Sequence, residues 1–418
     1  MIGMSPARER AERWPHVIVL DPFTAGLALA RAMSRAGARV SMLIDPSDAW
    51  TRHARGVEAI VAPFGDGSGW LELLERMLGT DETVVLPATD RSCELLLDHG
   101  ERLPDTVLGF ERSGAGHRAL MDKQRADAIA RRAGVAVPWT AAIGAPEDLE
   151  RAFAQAPWPC VVKPVFSHQW RERYGQERVF VADGPAQAAR LLERPLADSV
   201  GMLLCQYIPG GDEDVEEAIL VRLADGSYPV RFGCRKLRQN PPGFGATSVG
   251  EASPLPETTR LAERVLEEAG FVGVAGVETK RHAQTGERWF LEVNVRIPGQ
   301  WGLGDACGVD ATRRLVMALA RRPLGEQPPL RAGVRFVVPD ADAPVVRAAL
   351  AAAPLRRRPA VAWRMARAYR GARNFGLLDA RDPGPGVAFL AVLARRRLAA
   401  LGRRLGARRS SQRSSPPR

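Results

Sequence analysis

The stretch Phe290-Leu291-Glu292-Val293-Asn294-Val295-Arg296, read together with Val277-Glu278-Thr279-Lys280 shortly before it, decides how this chain folds. Both runs alternate as strands do, so Glu292, Asn294 and Arg296 share one face, and an antiparallel partner can set Glu278 beside them. Two carboxylates and an amide oxygen are hard ligands that suit magnesium, which would bridge nucleotide phosphates. Arg296 adds a fixed positive charge. A structural salt bridge accounts for one pair of these residues but poorly for all four, because two carboxylates on one buried face need a cation.

Lysine usage points to the same region. Of 59 basic residues only four are lysines, Lys123, Lys163, Lys236 and Lys280. A chain that has exchanged nearly all its lysine for arginine keeps it chiefly where a compact, flexible ammonium cannot be replaced by a planar guanidinium. Lys163 ends the strand-like run Pro159-Cys160-Val161-Val162-Lys163-Pro164, and Lys123 lies on a predicted helix. Two such ammonium groups suit a polyphosphate. The polar stretch 167–175 (SHQWRERYG) reads either as a phosphate-covering flap or as a solvated loop. Further on, Leu203-Leu204-Cys205-Gln206-Tyr207-Ile208 runs into a Pro-Gly-Gly turn and the acids Asp212, Glu213 and Asp214. The strand end can offer backbone groups to an adenine edge, and the acids can accept from ribose hydroxyls.

Upstream, apolar runs at 16–20, 39–44, 59–62 and 83–87 alternate with helical patterns at 25–36 and 70–78. That order predicts a doubly wound parallel sheet, whose ligands sit beyond the strand C-termini. Two turns qualify, 21–26 and 88–91, but neither carries the GxGxxG fingerprint. Asp90 in the second is either a ligand group or a helix cap. One helix is expected over about 115–134, ended by Gly134 with Pro138 beyond. The pattern then becomes α+β, with strands near 160–163, 179–181, 202–207, 217–223, 230–236, 276–281 and 287–293. Short turns between the later strands indicate an antiparallel sheet.

The formal charge of +11 belongs to the C-terminus: residues 355–418 hold 17 arginines against Asp379 and Asp382, leaving 42 basic and 46 acidic residues in the rest. Basicity therefore says nothing about the main site, and no RNA-binding motif or interleaved aromatic pattern accompanies it. Five scattered cysteines suggest neither a zinc site nor a disulfide framework. With no signal-like or membrane-spanning run, a cytoplasmic protein is expected. Leu390, Leu398, Leu401 and Leu405 recur at helical spacing among arginines over 387–405. This basic amphipathic helix can lie on an anionic membrane surface or pack its leucines on the body. A disordered tail is expected after Ala407.

Taken together, these motifs resemble the ATP-grasp superfamily, and within it the predicted ATP-dependent carboligases that include D-aspartate ligases. The resemblance spans about 16–395 and is strongest over 120–310. It implies an α/β Rossmann-like domain over 1–112, followed by an α+β ATP-grasp domain over 113–330 with subdomains 113–200 and 201–330. A mostly helical basic extension over 331–406 and a tail over 407–418 would follow. It implies ATP with magnesium, or manganese, held by Glu278, Glu292 and Asn294. Lys123 and Lys163 would bind phosphate, Gln206, Tyr207 and Ile208 adenine, and Glu213 ribose. Arg296 would bind phosphate, and Lys236 and Arg238, in the segment 235–245 that also looks like this group, would bind the reacting carboxylate and its phosphate. Gln206 replaces the glutamate many members carry, and Val295 replaces the usual proline.

The implied reaction joins a small-molecule carboxylate to an amine through an acyl phosphate, releasing ADP and phosphate. Asp90 and Glu251 are candidate bases, and substrate choice falls to the surroundings of Phe23, Asp90, Lys236 and Trp301. Alternatives are a carboxylase or a ligase with another acceptor, and a silent nucleotide-binding module tethered by its tail. Peripheral membrane contact through the C-terminal helix and homodimerisation complete the expected partnerships.

Overall fold

The computed structural model describes residues 14–109, 114–165, 170, 173–174 and 179–395. The expected flap at 167–175 and the helix and tail beyond 395 lie largely outside these residues. The chain divides into two compact units, neither continuous in sequence. One comprises 1–113, 311–326 and 374–418; the other comprises 114–310 and 327–373. The expected extension over 331–406 is thus shared between them.

In the first unit β1 (His16–Leu20), β2 (Val40–Ile44), β3 (Glu58–Val61), β4 (Thr83–Pro87) and β5 (Val107–Leu108) form a parallel sheet ordered β3-β2-β1-β4-β5. β1, β2 and β4 are buried along their whole length, which explains their mostly apolar composition; the buried His16 and Ser41 satisfy each other at 2.8 Å. Ile18, Leu20, Leu43 and Val85 pack against Trp70, Leu74, Leu95 and Leu96. The helix Phe23–Arg35 lies so close to the sheet that a Cβ at Gly26 would sit 2.7 Å from Val19 Cγ1. Thr89, not Asp90, caps the helix Asp90–His99; its hydroxyl donates to Asp21 at 2.6 Å, and Arg91 grips the same carboxylate at 2.6 and 2.8 Å.

Distant sequence completes this unit. The helix Ala311–Leu319 packs on Phe23–Arg35. Arg31, 3% exposed, donates to the Asp382 carboxylate at 2.8 Å and to the Asp382 and Leu377 carbonyls at 2.7 and 3.2 Å. Trp50 lies edge-on to both Phe23 and Phe389. The chain is helical again over 384–395.

The second unit holds two antiparallel sheets. β6 (Thr140–Ile143), β7 (Cys160–Pro164), β8 (Phe180–Ala182) and β9 (Met202–Gln206) are ordered β6-β9-β7-β8. The larger sheet contains β10 (Val215–Arg222), β11 (Val230–Asn240), β12 (Ala246–Ala252), β13 (Gly273–Arg281), β14 (Arg288–Asn294), β15 (Arg335–Val337) and β16 (Ala372–Asn374). Its order is β14-β13-β10-β11-β12-β15-β16. The helix Pro256–Glu268 covers it with Ala262, Val265 and Leu266 against Leu220, Ala275 and Val277.

The single helix expected over 115–134 is two. Asp122 is extended, at φ −79° and ψ 115°, and its Oδ1 accepts from the Gln124 and Arg125 N–H groups at 2.9 and 3.0 Å, so a second helix, Lys123–Arg132, starts there. Among the described residues, no helix is long and apolar enough to cross a membrane.

Asp382→Ala should destabilise the first unit by about 3 kcal/mol or more, because it strips the buried Arg31 guanidinium of its counter-charge. Denaturant unfolding checks this, and a loss below about 1 kcal/mol would refute it.

Candidate active site

The site is a product of strand register. Glu217 of β10 stands opposite Glu278 of β13, and Glu278 stands opposite Glu292 of β14. Three carboxylates therefore line up across three neighbouring strands, on one face of the sheet. On the other side of β10, Cys234 of β11 faces Glu217; two residues on, Lys236 donates from Nζ to Glu278 Oε2 at 2.8 Å. Asn294 follows Glu292 on the same face, and its Oδ1 accepts from Arg296 Nη2 at 3.2 Å. At β14 the register passes from Glu278–Glu292 to Thr279–Phe290, leaving Leu291 as the extra residue of a bulge. Such bulges re-aim side chains next to sites, and Glu292 is exposed here although Glu278 beside it is buried.

Glu217 went unrecognised in the sequence. It is 0% exposed, and neither carboxylate oxygen has a hydrogen-bond partner among the described residues. Burial and the neighbouring Glu278 charge push its carboxyl up to about 8, against the pull of Lys236. The carboxylate occupies space that only a glycine leaves open, since a Cβ at Gly276 would lie 2.2 Å from Glu217 Oε1. Burial also raises Glu278, with Lys236 opposing it. Lys236 keeps its proton more tightly than usual, because the attraction of Glu278 and Glu217 exceeds the cost of its burial. The sequence signal for Glu217 was the acid run 212–217, which reads equally well as a solvated turn.

The other expected groups lie on the helix Lys123–Arg132, on β7 and at the end of β9. Lys123 and Lys163 both act on Asp127, whose carboxyl is raised by burial and pulled down by Arg131, Lys163 and Lys123. At the end of β9, Gln206 exchanges bonds with the Trp139 backbone: its N–H donates at 2.7 Å and its Oε1 accepts at 3.2 Å. The Tyr207 N–H donates to Pro159 O at 3.1 Å, and Ile208 is buried. Lys280 lies 5.2 Å from the Tyr207 ring centroid; burial lowers its pKa, with Asp214 and Asp212 opposing. Asp212 is committed to the Gln239 and Gly243 N–H groups and the Gln239 amide, and Asp214 to Gly211 N–H and Arg281. Glu213, between them, is exposed, and its carboxylate makes no bond with the described residues.

Other expected members are placed elsewhere. Arg238 does not join Lys236: β11 shifts register between them, so the two side chains no longer share a face. Its guanidinium grips Asp342 at 2.7 and 2.6 Å, donates to Met365 O at 2.9 Å and stacks over Tyr369. Glu251 is paired with Arg335 at 2.8 Å. Trp301 is wholly buried against Phe232 and so is a core residue. Phe23 and Asp90 belong to the first unit, where Phe23 is 49% exposed.

Whether a divalent cation suits this set can be judged from its donors. Among the described residues no group of three or more His, Cys, Asp or Glu is disposed to hold a metal. Glu278, Glu292 and the Asn294 amide offer two carboxylates and a neutral oxygen. That is a set magnesium accepts when phosphates and waters fill its remaining positions, so the residues fit.

No protein-family model and no curated protein matches the sequence. Solved structures do. An ADP complex of an N5-carboxyaminoimidazole ribonucleotide synthetase superposes with a TM-score of 0.62 at 19% identity, covering 78% of this chain and 82% of its own. The N5-carboxyaminoimidazole synthetase from Staphylococcus aureus, also with ADP, gives 0.63 at 14% identity, covering 80% and 85%. An L-amino acid ligase from Bacillus licheniformis gives 0.56 at 18% identity, covering 76% and 78%. Identities this low speak for architecture alone. Together with the two antiparallel sheets of the second unit, they show that the chain has the ATP-grasp fold.

Proposed function

We propose that this protein is an ATP- and magnesium-dependent ligase that joins a carboxylate to an amine through an acyl phosphate, releasing ADP and phosphate. The observation that carries this reading is the register pairing of Glu278 with Glu292, with Asn294 and Arg296 beside them and Lys236 bonded to Glu278. The ADP complexes among its structural neighbours support a nucleotide, and the L-amino acid ligase supports the ligase class.

Glu278, Glu292 and Asn294 would hold the metal, which when bound neutralises phosphate charge. Lys123 and Lys163 bind the polyphosphate, the backbone at Gln206, Tyr207 and Ile208 meets the adenine, and Glu213 accepts from the ribose hydroxyls. Lys236 and Arg296 face the charge that builds where a carboxylate oxygen attacks the γ-phosphorus. The bond from that phosphorus to the bridging oxygen breaks as the new one forms, and ADP leaves. Amine attack on the acyl carbon then expels phosphate. Fixed charges of this kind are typically worth about 10²–10³ in rate each. Arg238 is given no part, because its hydrogen bonds are committed to Asp342 and Met365. A second reading, in which bicarbonate is the carboxylate, rests on the carboxylating enzymes among the neighbours.

Release of ADP from magnesium-ATP, measured against pooled carboxylates crossed with pooled amines, tests the proposal. Release that requires both pools supports it; release that needs the amines but takes bicarbonate in place of the carboxylate pool selects the second reading, and none anywhere would reject both. Glu292→Gln should reduce turnover below about a tenth of wild type while leaving the fold intact, since a neutral amide is a poor magnesium anchor. Lys163→Ala should weaken ADP binding about tenfold or more by calorimetry, and an unchanged affinity would remove Lys163 from the nucleotide site.

Glu217 yields a prediction about pH. Its folded carboxyl lies above the ordinary value, so the stability it contributes is full below about 4.5 and is lost as the pH rises through about 8. Glu217→Gln, neutral throughout, should gain on the ligand-free wild type across that window by up to a few kcal/mol. Parallel stability curves would show that Glu217 does not hold its proton.

A further inference from the structure

The second unit carries a surface that the ligase reaction does not use. Between Asp342 and Asp379 the chain has eight arginines and no acidic residue. The middle of this run is the helix Arg358–Arg367, which buries none of its residues. Val361 and Met365 are half-buried and mark its inner side. Trp363 and Arg367, four residues apart, lie on the outer side. Trp363 is 73% exposed, and Leu355, just before the helix, is 76% exposed. Among the described residues these are the two most exposed large apolar side chains, and both stand within the arginine run.

Hydrogen bonds to its backbone and to Tyr369 just beyond it help to hold the helix. Arg238 donates to Met365 O at 2.9 Å, Arg335 donates to Arg367 O at 2.9 Å, and Tyr369 hydrogen-bonds Asp342. These bonds fix the segment while leaving the Trp363 and arginine side chains exposed. Arg356, Arg357, Arg364, Arg367, Arg370 and Arg373 are all exposed, and none has an acidic partner among the described residues.

We propose that the segment 355–373 docks on an anionic membrane surface, with Trp363 and Leu355 entering the headgroup layer and the arginines lying on lipid phosphates. Charge complementarity selects an anionic partner. A bilayer suits it better than a nucleic acid, because Leu355 has no ring to stack on a base and a convex helix offers no groove for a strand. This surface is distinct from the helix at 384–395, and the inference does not depend on the reaction proposed above.

The test is co-sedimentation of the full chain with phosphatidylcholine vesicles, with and without about a third phosphatidylglycerol, at low salt. Binding should require the anionic lipid. Arg364→Gln, Arg367→Gln and Arg370→Gln combined should lower partitioning on the order of a hundredfold, from roughly fivefold per arginine. Trp363→Ala should lower it without altering the salt dependence. All four side chains are exposed, so the unfolding transition should not move and serves as the control for folding. Arg395→Gln, in the helix at 384–395, should have no more effect than one arginine. The proposal fails if the full chain does not bind, if binding survives the triple substitution, or if the protein retains a short RNA but not anionic vesicles.

Discussion

Three carboxylates, two of them buried, cannot be lined up across neighbouring strands without something to hold their charge, and the site in the second unit is organised around that constraint. Each glutamate on β10, β13 and β14 stands directly opposite the next. Protein cations answer part of the charge, through Lys236 on Glu278 and Arg296 beside Asn294. Burial and the Glu278 charge raise the Glu217 carboxyl and so favour its neutral form. Glu292, on the edge strand β14, is the exposed member of the row, and in the proposed reaction it would share a cation with Glu278. Glycine at 276 and the bulge at Leu291 are the two backbone adjustments that let this row form.

The parts of this arrangement that were legible in the sequence are those governed by local period. Alternation within a strand places Glu292, Asn294 and Arg296 on one side, and the short separation between 277–280 and 290–296 makes their pairing the natural one. The parallel sheet of the first unit was legible from its composition, as strands buried on both faces are mostly apolar. Glu217 was not, because its membership depends on the register between β10 and β13, whose pairing residues lie about sixty positions apart.

Arg238 shows the limit of alternation from the other side. Parity from Lys236 puts both on one face, and a register shift inside β11 undoes it. Asp122 shows a limit of helical period: the pattern on either side is continuous, while the aspartate at the break serves a new helix as its cap. The division of the chain was equally hidden, since nothing in 311–326 or 374–395 announces that these segments serve the N-terminal unit. Such non-local closure leaves no periodic trace.

That closure bears on how the molecule is made. Arg31 and the carboxylate that pairs with it are separated by 351 positions, so on the ribosome the first unit waits for almost the whole chain before its buried guanidinium is satisfied. At usual elongation rates the wait is on the order of tens of seconds, far longer than local helices and hairpins need to form. Throughout it the helix Phe23–Arg35 presents an uncovered side to the cell. Closure of the first unit can follow only when synthesis has passed Asp382.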